Sequence, residues 1–173
     1  MGLFEPHGRY RDRDGEARLT TGTLRGIARH AFPRAPMEVL DHVHVTREGG
    51  LAGDFRGAIR PGGKDRRQVS MIAADKWLAV IEELGTVVEW QERRANLLLD
   101  GIELPQRAGA VIRIGADVRL EITCECDPCS RMDAIVPGLK AVLMPDWRGG
   151  ALARVLDGGN IRVGDLVSIE GEE

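Results

Sequence analysis

The chain has 173 residues, 43% of them hydrophobic and 29% charged, with a net charge of −3. That length suits one domain with a true core, able to bury about 70% of its unfolded surface, and the mild acidity supplies no electrostatic footprint for nucleic acid. No apolar run approaches the ~20 residues that span a bilayer, and no apolar signal core follows the N-terminus, so a cytoplasmic protein without membrane attachment is expected.

Residues 1–18 contain the mixed-charge stretch Arg9-Tyr10-Arg11-Asp12-Arg13-Asp14-Gly15 with no periodicity, which predicts a mobile N-terminal extension ahead of a single domain over 19–173. Aromatic residues make up only 4% of the chain whereas glycine occurs 22 times, the composition of a strand-rich fold with many tight turns. The first strand signals are Thr23–Ala28 and Met37–Val45, separated by Phe32-Pro33-Arg34-Ala35-Pro36. His42 and His44 share one strand face; lacking a nearby third ligand, they read as solvent-facing residues opposite Val43 and Val45.

Gly49–Val69 is a long glycine-rich loop with five basic residues between Arg56 and Arg67, Arg66 among them. Glycine lets backbone amides approach an anion, and guanidinium grips phosphate bidentately, so an anionic small molecule is the natural guest. The spacing is not that of a P-loop, because the Gly-Lys-Ser/Thr end is missing. Residues 74–84 carry the one clear amphipathic helix, with Ala74, Trp77, Leu78, Ile81 and Leu84 as its expected buried stripe and Gly85 as its C-cap. Arg93, Arg94 and Asn96 then precede the apolar run Leu97-Leu98-Leu99, placing charge at the mouth of a strand.

Val111–Ile114 and the strand from Val118 form a predicted hairpin through Gly115-Ala116-Asp117. The alternation of Val118, Leu120 and Ile122 extends to Cys124, which reads as a small core residue on that face. All three cysteines, Cys124, Cys126 and Cys129, fall within six positions. Asp127-Pro128 is a turn dipeptide that cannot continue a central strand, so Cys129 belongs on a loop. An odd number of cysteines in a reducing compartment favours a reactive thiol or a metal ligand over a disulfide. Pro137–Leu143 is expected as a short proline-initiated helix, and Ala151–Leu156, Asp157–Asn160 and Ile161–Ile169 as strand, turn and strand. Roughly eight short strands with one or two short helices amount to a mainly β fold, a closed or nearly closed barrel.

The ordered set Gly50-x-x-Gly53-Asp54, Arg67-Gln68-Val69, Arg94-x-Asn96-Leu97, Gly101-Ile102-x-Leu104, Ile114-Gly115, Pro128-Cys129, Pro137-Gly138-Leu139 and Gly158-Gly159-x-Ile161-x-x-Gly164-Asp165 resembles the MOSC domain, named for the C-terminal domain of molybdenum cofactor sulfurases. The similarity covers about residues 20 to 170, and the chain is similar to the small stand-alone bacterial type. It implies a MOSC-type β-barrel, an association with the molybdenum cofactor (molybdopterin), and one functional cysteine, which maps onto Cys129. Family members act as sulfur carriers, or ligate molybdenum through cysteine and reduce N-hydroxylated compounds.

Chemistry agrees with that implication. Cations near a thiol favour the thiolate, which is both nucleophile and soft metal ligand. Arg131 lies two positions from Cys129, and Arg66, Arg67, Arg93 and Arg94, with Asn96, are expected to converge on the same mouth and hold the anionic pterin phosphate. The expected partners are that pterin and a separate sulfur or electron donor protein. A competing reading joins Cys124, Cys126 and Cys129 in a metal-binding or redox module without molybdenum chemistry, although three ligands fall short of the four of a closed zinc site.

Overall fold

The computed structural model describes residues 9–11 and 17–172, with side chains from Leu19 onward. Thirteen strands occur among these residues: β1 Arg9–Arg11, β2 Ala17–Leu19, β3 Thr21–Arg29, β4 Glu38–Leu40, β5 His42–Thr46, β6 Gly50–Leu51, β7 Val69–Ala73, β8 Leu97–Asp100, β9 Val111–Ile114, β10 Val118–Glu125, β11 Ala151–Asp157, β12 Gly159–Arg162 and β13 Leu166–Ile169. Three α-helices accompany them, α1 Ala74–Leu84, α2 Arg131–Ile135 and α3 Leu139–Leu143. β1 and β2 pair antiparallel, and the remainder of the expected N-terminal extension lies outside the described residues.

Seven strands, in the order β13-β9-β10-β11-β7-β8-β3, close into a barrel through pairing of β3 with β13, and β4 adds to the far end of β3. Closure removes the exposed edges that an open sheet of this size would carry. All pairings are antiparallel except β7 with β8, whose parallel register requires a crossover; α1 is that crossover. A separate three-stranded sheet, β12-β5-β6, sits beside the barrel.

Alternation along the strands sorts side chains between two cores. Val69 and Met71 of β7 and Leu97 and Leu99 of β8 point into the barrel with Leu24, Ile112, Leu120 and Ile122. Ile72 and Leu98, on the opposite faces of the same strands, pack instead against Trp77, Val80, Met132, Leu139 and Leu143 of the helices. Being covered on both faces, β7 is buried throughout.

Several sequence expectations meet the structure closely. α1 has the expected bounds and ends at Gly85 in the left-handed region, φ 66°. His42 and His44 are exposed, and Val43 and Val45, which alternate with them, are buried. The β9–β10 hairpin pairs Ile114 with Val118 as anticipated.

Others are corrected. Leu78 is 55% exposed, and Val80 takes its place among the buried residues of α1 with Ala74 and Trp77, because α3 packs on that flank. The segment Ile161–Ile169 is two strands, broken where Asp165 N donates to Arg162 O at 3.1 Å and Arg162 N donates to Asp165 Oδ2 at 2.9 Å. β12 then leaves to pair with β5, and β13 closes the barrel, so neither completes a hairpin with β11. α3 begins after Pro137 and Gly138 rather than at the proline, and α2 is an additional helix. Among the described residues no helix is long and apolar enough to cross a membrane.

Candidate functional site

A cavity of about 330 Å³ opens where five chain segments meet. His30 follows β3, Asp54, Arg56 and Arg67 come from the long loop between β6 and β7, and Ser70 lies in β7. Arg93, Arg94 and Asn96 lead into β8, and Asp127, Cys129, Ser130, Arg131 and Met132 form the turn from β10 into α2. Such a volume lies at the lower end of the range for small-molecule sites.

Hydrogen bonds among buried groups fix the walls. Asn96 Oδ1 accepts from Ser70 N at 3.0 Å and from Ser70 Oγ at 3.1 Å, while Asn96 Nδ2 donates to Ala28 O at 3.1 Å, tying β3, β7 and the entry to β8 together. Arg93 is only 5% exposed, and its Nη2 donates to Cys126 O (2.9 Å), Gly149 O (3.0 Å) and Cys126 Sγ (3.2 Å). The cysteine loop is thereby clamped to the segment before β11. Arg94 occupies the left-handed region at φ 65°, an uncommon conformation for a non-glycine residue, and its Nη1 donates to Ala35 O at 3.0 Å.

The charge is lopsided. Five arginines line the cavity against two carboxylates, Asp54 and Asp127. Among the described residues no carboxylate lies within ion-pair distance of Arg56, Arg67, Arg94 or Arg131. Burial, followed by the charges of Arg67, Arg131, Arg94 and Arg60, holds the Arg56 guanidinium below its ordinary proton affinity. Like charges are thus crowded together with no carboxylate in ion-pair contact among the described residues.

Asp54 is deeply buried: its Oδ1 accepts from His30 N at 3.1 Å and lies 3.5 Å from His30 Nδ1. Asp54 Oδ2, His30 Nδ1 and Arg93 Nε are buried without a hydrogen-bond partner among the described residues. Burial pushes the His30 imidazole down from its usual value; Asp54 opposes that shift, and Arg94, Arg56 and Arg67 add to it. Neutral His30 is therefore the favoured form beside this cationic wall.

The model of the MOSC domain matches residues 58–168, well over half of the chain. The chain belongs to the MOSC domain family. Solved structures agree on the fold: the YuaD protein from Bacillus subtilis superimposes with a TM-score of 0.69 at 18% identity, over 86% of this chain and 95% of that one. YiiM from Escherichia coli gives 0.58 at 15% identity over 85% and 69% of the two chains, and YiiM from Geobacillus stearothermophilus 0.62 at 14% over 86% and 74%. No curated protein matches the sequence significantly.

Within this MOSC barrel, the residues singled out in the sequence divide into two groups. Cys129, Arg67, Arg93, Arg94, Asn96 and Arg131 all line one cavity. Arg66 is not among the lining residues; its backbone carbonyl accepts from Thr123 Oγ1 at 2.6 Å. Asn96 Nδ2 and Arg93 Nη2 hold backbone carbonyls and the loop cysteine, which leaves Arg56, Arg67, Arg94 and Arg131 as the other guanidinium groups lining the cavity.

The three cysteines separate. Cys129 is exposed, Cys126 is buried and Cys124 half-buried. The buried one is not the expected Cys124, because a register shift against β11 between Ile122 and Cys124 breaks the alternation. Among the described residues no group of three or more His, Cys, Asp or Glu side chains is placed to hold a metal ion, so the three-cysteine metal module finds no geometric support.

His30, Asp54, Arg56 and Ser70 were not singled out as site residues, although all line the cavity. Asp54 stood inside the Gly-Asp motif and Arg56 among the five basic loop residues, so both had a signal. His30 had none: nothing in its local sequence distinguishes it from a strand-end histidine.

Proposed function

We propose that this MOSC domain binds the phosphate-bearing pterin of the molybdenum cofactor in the Cys129 cavity, with Cys129 supplying a soft thiolate to the metal. The observation carrying this reading is the meeting of one exposed thiol with Arg56, Arg67, Arg94 and Arg131, none of them neutralised by a carboxylate among the described residues. Guanidinium matches phosphate oxygens in charge and geometry, and a thiolate matches a soft metal. The donor set therefore fits the group.

When bound, the cofactor supplies the redox chemistry that the family resemblance associates with N-hydroxylated compounds. The chain's own contribution is positional. Arg56, Arg67, Arg94 and Arg131 hold the anion, Asn96 and Arg93 keep the walls in register, and Asp127-Pro128 presents Cys129 at the rim. Neutral His30, backed by Asp54, is the group able to accept a proton at the cavity wall.

The exposure of Cys129 favours a second reading, sulfur carriage, because a carrier thiol must be reached by donor and acceptor proteins. One preparation separates the two. Molybdenum and pterin are measured in protein purified without oxygen from a host that makes the cofactor, beside Cys129→Ala, and the Cys129 peptide is weighed for an added sulfur atom. Molybdenum present in the wild type and lost in the variant supports the ligand reading. An added sulfur without molybdenum supports the carrier reading, and neither result in the wild type refutes both.

A further inference from the structure

A second cavity of about 190 Å³ adjoins the first and shares two lining residues with it, Arg56 and Arg67. Its other charged residues are Arg60, Lys64 and Asp65. Asp65 is the lone carboxylate, and it lies 3.7 Å from Arg154 Nη1, which draws its charge outward. No carboxylate among the described residues pairs with Arg60 or Lys64.

The loop that carries these cations has defined geometry. Arg60-Pro61-Gly62-Gly63 is a tight turn closed by Gly63 N donating to Arg60 O at 2.8 Å, with proline in its second position and Gly62 at φ 70° in its third. Those are the requirements of a type II turn. The Arg60 guanidinium is further held over the Phe55 ring, 5.4 Å from its centroid. A continuous cationic strip therefore runs from Arg131 and Arg94, across the shared Arg56 and Arg67, to Arg60 and Lys64.

One phosphate cannot neutralise both ends of such a strip. Arg56 and Arg67 stand where a bridging anion would touch both cavities, and Arg60 and Lys64 stand where a following anion would end. We infer that this strip forms two adjacent phosphoryl subsites, so that the chain takes a diphosphate-bearing ligand, or a second phosphate beside the first, rather than a single monophosphate. The inference deepens the anion-binding half of the proposed function and rests on it.

The test uses the full chain and two inorganic probes, orthophosphate and pyrophosphate, titrated by calorimetry at low salt. Pyrophosphate is expected to bind at least about tenfold more tightly, the gain from one or more added charge-assisted contacts. The double variant Arg60→Ala/Lys64→Ala should lose that preference and leave orthophosphate affinity within about twofold, since Arg94 and Arg131 are untouched. These side chains lie on a surface loop, and an unchanged melting curve verifies that the variant is folded. Stoichiometry separates the sources: one pyrophosphate displacing two orthophosphates per chain indicates a linked diphosphate, and two pyrophosphates displacing two orthophosphates indicate two separate phosphate-bearing ligands.

Equal affinity of the wild type for both anions at one site, or a preference surviving in the double variant, overturns the inference. Molybdenum lost in Cys129→Ala without any pyrophosphate preference refutes this inference alone. A pyrophosphate preference in a chain that never acquires molybdenum refutes the cofactor reading alone.

Discussion

Asn96 lines the cavity, yet its hydrogen bonds assign it to construction, and Asn96→Ala tests that assignment. The substitution removes the acceptor of Ser70 N and the donor to Ala28 O, two backbone groups in a region where Asn96 itself is only 5% exposed. An orphaned buried group costs about 1–3 kcal/mol, so the pair costs about 4 kcal/mol. For a domain of this size that corresponds to a fall in Tm of ~8–16 °C. Asn96→Asp keeps an acceptor for Ser70 but sets a carboxylate oxygen against Ala28 O, and it should be destabilised as well. Urea unfolding followed by circular dichroism gives both values. A loss under about 1 kcal/mol for Asn96→Ala would refute the clamp, and undiminished stability with lost anion binding would return Asn96 to the role of direct ligand contact.

The His30 imidazole takes up a proton less readily in the folded chain than in the unfolded one, where it titrates near 6.5. On acidification the unfolded state gains its proton first, so stability should fall as pH drops through 6.5 towards the folded value, and the urea midpoint at pH 5.5 should lie below that at pH 7.5. His30→Gln should flatten this dependence; an identical slope in the variant would show that other groups set it. Gly150 has φ 95°, and a Cβ there would collide with Met71 O, so Gly150→Ala should cost about 3 kcal/mol or more or yield insoluble protein. Gly62 has φ 70° but nothing within 4 Å, so Gly62→Ala should cost only about 1–2 kcal/mol, from backbone conformation alone. Equal losses in the two variants, measured by thermal unfolding, would mean that crowding at Gly150 is relieved by movement of β7.

Period-2 alternation in Val118–Ile122, period-3.6 spacing in Ala74–Leu84 and the turn chemistry of Gly115-Ala116-Asp117 and Asp127-Pro128 are local properties, and the sequence by itself determined those elements and the loop position of Cys129. The order of arginine, asparagine and cysteine motifs along the chain also indicated the MOSC family. Tertiary structure alone decided what the local pattern cannot encode. Whether Leu78 or Val80 is buried depends on where α3 lies, and whether Cys124 or Cys126 is buried depends on a register shift against β11. That Arg67 lines the cavity and Arg66 does not was invisible in their adjacency, and that Arg93 Nη2 and Asn96 tie the walls together follows from partners 26 to 68 positions distant. His30 entered the site because the loop after β6 folds onto the end of β3, where Phe55 N donates to His30 O at 2.8 Å and His30 N donates to Asp54 Oδ1, 24 residues on, at 3.1 Å. Burial and hydrogen bonding are properties of pairs of segments, and pairing between distant segments is set by the closed barrel rather than by either segment.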